Sequence, residues 1–251
     1  MFRRSFCLCF LLLTGLASAA GPTGRLYFTT ADEGFLGTLQ GTDEVYTLAV
    51  NSGEGPIAVY GSVATTGIVP LGLGASYDLN GNATGAIYSN PLSENAFDAT
   101  TDGTSNYLLG TSGTVYQASL DYATASPLFN ADADAVGISF DRAANAFWIT
   151  GGGFLKEYNF AGDLLNAFFL NANDVGAVAY DPFDNTIWVG GSVLTQYAAD
   201  GTVLGAYALD SGYSISGMEF DLQPVPEPAS LAGLGVGVLA VLRRRSASKK
   251  A

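Results

Sequence analysis

The sequence predicts an all-β fold, a β-propeller of about five blades built from repeats of about 40 residues and closed by strands from both termini. Three observations carry this. The 251 residues include 32 glycines, 15 Phe and 13 Tyr but only 13% charged residues, which suits short strands and tight turns and not a helical bundle. Short apolar or alternating runs are bounded by Gly, Asn and Asp along most of the chain. A motif also recurs at fixed spacing. Ile138-Ser-Phe-Asp141-Arg-Ala-Ala-Asn145-Ala-Phe-Trp148 returns 40 positions later as Val178-Ala-Tyr-Asp181-Pro-Phe-Asp-Asn185-Thr-Ile-Trp188, and opens again at Met218-Glu-Phe220-Asp221.

Each unit reads as an apolar strand, an Asp-x-x-x-Asn turn, an aromatic strand, a Gly-containing turn, and two further strands joined by an Asp-Gly or Gly-Asp turn. Asp102 with Asn106 is an earlier copy, and Asp78 with Asn82 a weaker one. Asp78 and Asp102 stand only 24 residues apart, so one blade is expected to be truncated or irregular. The last copy stops after its first strand. Residues 25–30 supply its missing second strand, with 44–50 and 56–60 as strands three and four. A blade shared by both termini removes the open edges of the ring.

The ends read differently. Residues 1–20 hold Arg3 and Arg4, an apolar run, and small residues Ala17, Ala19 and Ala20 at the expected cut, the layout of a secretory signal peptide. Cys7 and Cys9 fall inside it, so the mature domain, 21–222, has no cysteine and no disulfide. A Pro-rich linker, 223–228, blocks helix. Uncharged apolar residues 229–242 then read as a short transmembrane helix of about 21 Å. A basic tail, 243–251, opens with Arg243, Arg244 and Arg245 and is expected to stay cytoplasmic.

Val225-Pro226-Glu227-Pro228, the apolar stretch and the three arginines together resemble the PEP-CTERM sorting signal of bacterial exported proteins. That resemblance implies processing by an exosortase after the secretion machinery and signal peptidase have acted. It implies passage through the inner membrane, then attachment at or release from the surface of a Gram-negative bacterium that makes extracellular polymer or biofilm. The repeats resemble, at the level of fold, the NHL and YVTN-like propellers.

Charge and composition exclude several functions. The chain has 23 acidic and 10 basic residues and no histidine. Between residues 21 and 226 only Arg25, Arg142 and Lys156 oppose 22 acids. Nucleic acid is not a partner of so acidic a surface. Imidazole and thiol catalysis are excluded.

The recurring Asp102, Asn106, Asp141, Asn145, Asp181, Asn185 and Asp221 read as turn formers, because a residue that every hairpin needs recurs in every hairpin. Asp78, Asn80 and Asn82, and separately Asp132 and Asp134, are denser oxygen clusters and the candidate calcium ligands, although neither matches an EF-hand. Trp148 and Trp188 are expected in the core or between blades, and Gly151-Gly152-Gly153 is expected to be a hairpin turn.

No residue stands out as catalytic. The leading function is a surface or matrix protein that binds extracellular polysaccharide, calcium or protein. A calcium-dependent, lactonase-like propeller hydrolase and a plain anchored spacer are the alternatives.

Overall fold

The computed structural model describes residues 21–30, 32–170 and 176–222. The signal-peptide, linker, transmembrane and tail expectations, with Ala17, Ala19, Ala20, Val225, Pro226, Glu227, Pro228, Arg243, Arg244 and Arg245, lie outside the described residues.

The described residues form five four-stranded antiparallel sheets, the blades of a propeller. Blade 1 comprises β1 (Leu26–Thr30), β2 (Phe35–Gln40) and β3 (Asp43–Leu48), with β20 (Gly217–Phe220) innermost. Blade 2 is β4 (Glu54–Val59), β5 (Val63–Gly67), β6 (Leu73–Tyr77) and β7 (Ala83–Ser89). Blade 3 is β8 (Ala96–Thr101), β9 (Asn106–Gly110), β10 (Thr114–Ala118) and β11 (Ala125–Asn130). Blade 4 is β12 (Ala135–Asp141), β13 (Ala146–Gly151), β14 (Phe154–Tyr158) and β15 (Leu164–Phe169). Blade 5 is β16 (Ala177–Asp181), β17 (Thr186–Gly190), β18 (Val193–Ala198) and β19 (Val203–Ala208).

The ring closes as the repeats predict. β20 pairs antiparallel with β1, Phe220 opposite Leu26 and Gly217 opposite Thr29. The terminal strands themselves are corrected. Residues 44–50 fall in and after the fourth strand, residues 56–60 belong mostly to the innermost strand of blade 2, and β2 is the third strand.

No blade is truncated. Asp78 and Asn82 lie in the outer β6–β7 hairpin of blade 2, whereas Asp102 opens the inner β8–β9 hairpin of blade 3, so the spacing of 24 compared two different turns. Both turns use the same local chemistry, an Asp carboxylate accepting backbone N–H groups.

Burial follows position in the blade. The first two strands are covered on both faces and read as continuous apolar runs, such as AFWITG in β13 and TIWVG in β17. The outermost strands are half exposed, β7 and β15 most of all. Apolar clusters fill the spaces between blades. Tyr107, Phe147 and Ile149 pack between blades 3 and 4, and Trp148, Val178 and Tyr197 between blades 4 and 5.

Candidate functional site

Innermost strands run from one face of the ring to the other, so each blade contributes one polar turn and one strand start to the axis. The mouth at the strand starts is a cavity of about 280 Å³, with Ile68, Phe97, Val136 and Ile215 from four blades as its apolar walls. Asp32, from the β1–β2 connection, adds a carboxylate to its rim.

Below the mouth the axis is plugged by two fully buried acids. Glu219 on β20 reaches across the ring to accept hydrogen bonds from the hydroxyls of Thr100 on β8 and Ser139 on β12, the latter at 2.8 Å. Those hydroxyls are oriented from behind: the N–H of Phe140 donates to Thr100 Oγ1 and that of Tyr180 to Ser139 Oγ, both at 2.9 Å. Each hydroxyl proton is thereby free to point at Glu219.

Asp98 accepts the N–H groups of Ala99 at 2.8 Å and Ile138 at 3.2 Å. A Cβ on Gly217 would stand 2.5 Å from Asp98 Oδ1, so only glycine lets β20 pass here. Burial pushes the Glu219 carboxyl up to about 8, against the pull of the two hydroxyls. Burial also raises Asp98, whose neighbour Glu219 adds a like charge. Sequence reasoning missed this pair. A lone acid within an otherwise apolar strand, in Gly-Met-Glu-Phe and in Ala-Phe-Asp-Ala, was the available signal.

The repeated aspartates surround the opposite face. Asp141 Oδ1 accepts the N–H groups of Ala143 and Ala144 at 2.8 and 2.9 Å, and Asp102 Oδ1 those of Thr104 and Ser105 at 2.7 and 2.8 Å. The second oxygen of each receives the following aromatic: Trp148 Nε1 at 3.4 Å for Asp141, the Tyr107 hydroxyl at 2.7 Å for Asp102. The separation is seven residues in blade 4 and five in blade 3. Asn145 and Asn185 close the longer turns in the left-handed region, at φ 53° and 57°. In the shorter turn the positive-φ position falls on Gly103, at φ 87°, and Asn106 instead begins β9 and donates to Leu120 O at 3.1 Å.

Two aspartates also join blades. Asp181 Oδ2 accepts the Gly24 N–H at 3.3 Å, and Asp221 Oδ1 the Gly61 N–H at 2.8 Å. Burial raises Asp181 to about 6, with Asp184 adding to the rise.

The candidate calcium ligands Asp78 and Asn82 meet within one turn, where they bond to each other, and Asp132 and Asp134 have separate partners. Asp78 Oδ1 accepts the N–H groups of Asn80 and Asn82, both at 2.9 Å, and Asn82 Nδ2 donates to Oδ2 at 3.0 Å. These bonds, the Asn82 amide first, hold the Asp78 carboxyl below its usual range. Asp132 forms an ion pair with Lys156. The Asp134 carboxylate lies against Gly152, on the β13–β14 turn where the glycine run was expected. Among the described residues no three acidic, His or Cys side chains gather as a metal site. Trp148 and Trp188 are both buried, and the Trp188 indole N–H has no partner among the described residues.

Fold and axis together define a five-bladed β-propeller whose axis is plugged by buried acids beneath an open mouth. Residues 224–246 match the PEP-CTERM protein-sorting motif. The chain therefore carries the sorting signal of an exported protein whose processing partner is an exosortase and which has a C-terminal membrane anchor until it is processed.

No curated protein sequence matches the chain. Among solved structures, one from a nidogen/laminin complex is similar at TM-score 0.50 and 12% identity, covering 79% of this chain and 98% of that one. That likeness shows the fold alone. A virginiamycin B lyase from Staphylococcus aureus aligns at TM-score 0.46 and 13% identity, over 78% of this chain and 69% of that one. A protein of unknown function from Bacteroides caccae aligns at 0.46 and 10%, over 74% and 73%.

Proposed function

We propose that the chain is an exosortase-processed surface or matrix protein whose acidic propeller serves as a binding module and not as an enzyme. One observation carries this reading. β20 runs from the mouth, where Ile215 and Ser216 line the cavity, to the opposite face at Leu222, and the sorting motif begins two residues later. A domain tethered at that end turns its mouth away from the membrane.

Apolar walls with one carboxylate among the described residues suit a small ligand group or an extracellular polysaccharide end better than a reaction, because every carboxyl oxygen of the buried acids beneath already accepts a hydrogen bond. Calcium, on this reading, is a loosely held counterion of the Asp78 and the Asp132–Asp134 turns.

The test has two arms. Replacing Pro226, Glu227 and Pro228 by alanine in the native host should leave the C-terminal tail attached, read by mass spectrometry of the surface fraction. Removal at an unchanged rate would end the sorting reading. On a glycan array, Phe97→Ala should abolish whatever the native protein retains while leaving its melting temperature unchanged. Retention by the variant would move the site away from the mouth.

A further inference from the structure

The chain's exit from the propeller is clamped. The N–H of Leu222 donates to Val59 O at 3.2 Å, and its carbonyl accepts from Arg142 Nη1 at 2.8 Å. The Asp221 carboxylate holds Gly61, and the Arg142 guanidinium carbon stands 5.8 Å over the Tyr60 ring. The described chain therefore ends beside Tyr60, in a fixed place between blades 2 and 4.

Tyr60 also forms one wall of a groove of about 180 Å³ between blades 2 and 3. Tyr88 and Leu120 are its other large side chains, with Ser62 and Thr101 between them. Gly103, at φ 87°, is what admits the Tyr60 ring, since a Cβ there would lie 2.5 Å from it. Tyr60 and Tyr88 are both half-buried, and neither hydroxyl is tied up by a hydrogen bond among the described residues, so both can donate to a ligand that enters the groove. Among the described residues no charged side chain lines the groove, although Asp102, Asp141, Asp181 and Asp221 occupy the turns around this face.

We infer that this groove is the seat of the chain's own Pro-rich linker, residues 223–228, which docks in it as an extended strap. The linker is Gln-Pro-Val-Pro-Glu-Pro. Alternating prolines favour polyproline II, whose rings pack on tyrosine faces and whose free carbonyls accept from tyrosine hydroxyls. From Leu222, six such residues reach about 19 Å at about 3.1 Å each, enough to cross the groove. Charge narrows the path further. Glu227 is repelled by the aspartates around the face and meets no anion in the groove. The strap holds the Pro226-Glu227-Pro228 motif against the propeller until the peptidase takes it.

The test uses the full chain in a bacterial host lacking the peptidase, so that the tail stays on, with Cys7 and Cys9 replaced by alanine. Val225→Cys with Leu120→Cys is oxidised by copper–phenanthroline and compared with Val225→Cys with Leu204→Cys, Leu204 being an exposed residue of β19 in blade 5. A docked linker should raise the intramolecular disulfide yield of the first pair about tenfold over the second, through its higher effective concentration. Tyr60→Ala together with Tyr88→Ala should return the yield to the control level. Equal yields from the two pairs, persistence in the alanine background, or a disulfide joining two chains would each overturn the proposal, the last by giving the groove to a second copy.

Discussion

Single residues set how this ring responds to pH. Glu219 has an ordinary carboxyl value of 4.5 and rises to about 8 in the folded protein because it is buried. The folded state thus binds a proton that the unfolded chain releases. This stabilisation is complete below about pH 4.5 and is lost as pH rises toward 8, with a full range on the order of a few kcal/mol. Asp98 and Asp181 shift in the same direction and add to the slope. Urea midpoints should therefore fall steadily from pH 5 to pH 8, and Glu219→Gln should flatten that decline. A midpoint that rises over this interval would show that Glu219 is ionised throughout in the fold. The left-handed asparagines give a second expectation. Asn145→Val or Asn185→Val should lower stability by about 1–2 kcal/mol, whereas Asn145→Gly should cost little and Asn185→Gly should cost more, because it removes the acceptor of the Tyr180 hydroxyl, as read by thermal melts. The asparagine turns were legible because the same side chain recurs at the same step. Glu219 was not, because its partners Thr100 and Ser139 lie 119 and 80 residues away and join it only across the axis.

At the level of strands and hairpins, the repeat period disclosed the blades but not the identity of every turn. The inner β12–β13 and β16–β17 hairpins pair Asp141 with Ala146 and Asp181 with Thr186, so their sequences align directly. In blade 2 the inner turn is the short Tyr60-Gly61-Ser62, with no aspartate of its own; its Gly61 N–H is held by Asp221 of blade 1. The sequence pattern therefore passed over this hairpin to the outer one at Asp78. β2, FLGTLQ, was missed for a related reason: Gly37 weakens it as a strand by propensity, yet a Cβ there would stand 2.2 Å from the Phe28 ring, so glycine is required. The closing strand supplies the test at this scale. A chain stopped after Gly212 loses β20, exposes the edge of β1 and removes Glu219 from the axis. It should lose cooperative melting and associate, seen by calorimetry and size-exclusion chromatography. A monomer with the native transition would mean that four blades and a fragment suffice.

Across the whole molecule the controlling quantity is charge. Between residues 21 and 226 there are 22 acids and three bases, and one of those bases, Lys156, is engaged by Asp132 in the one ion pair among the described residues. Such a surface repels itself, and screening should stabilise it. Melting temperature should consequently rise by several degrees between 10 mM and about 0.3 M sodium chloride. That rise has to be separated from any effect of calcium, because a divalent ion screens strongly without a built site. Asp78 is the sharper case: its carboxylate already accepts two backbone N–H groups and the Asn82 amide, so a cation would have to compete with bonds that the turn itself needs. Asp132 would have to give up Lys156. Calcium and magnesium chloride at equal ionic strength should therefore raise the melting temperature equally, and Asp78→Asn should not change the difference between them. A larger rise with calcium that Asp78→Asn removes would instead establish a specific site in the β6–β7 turn, and with it a cation-dependent role for the face that carries the sorting signal.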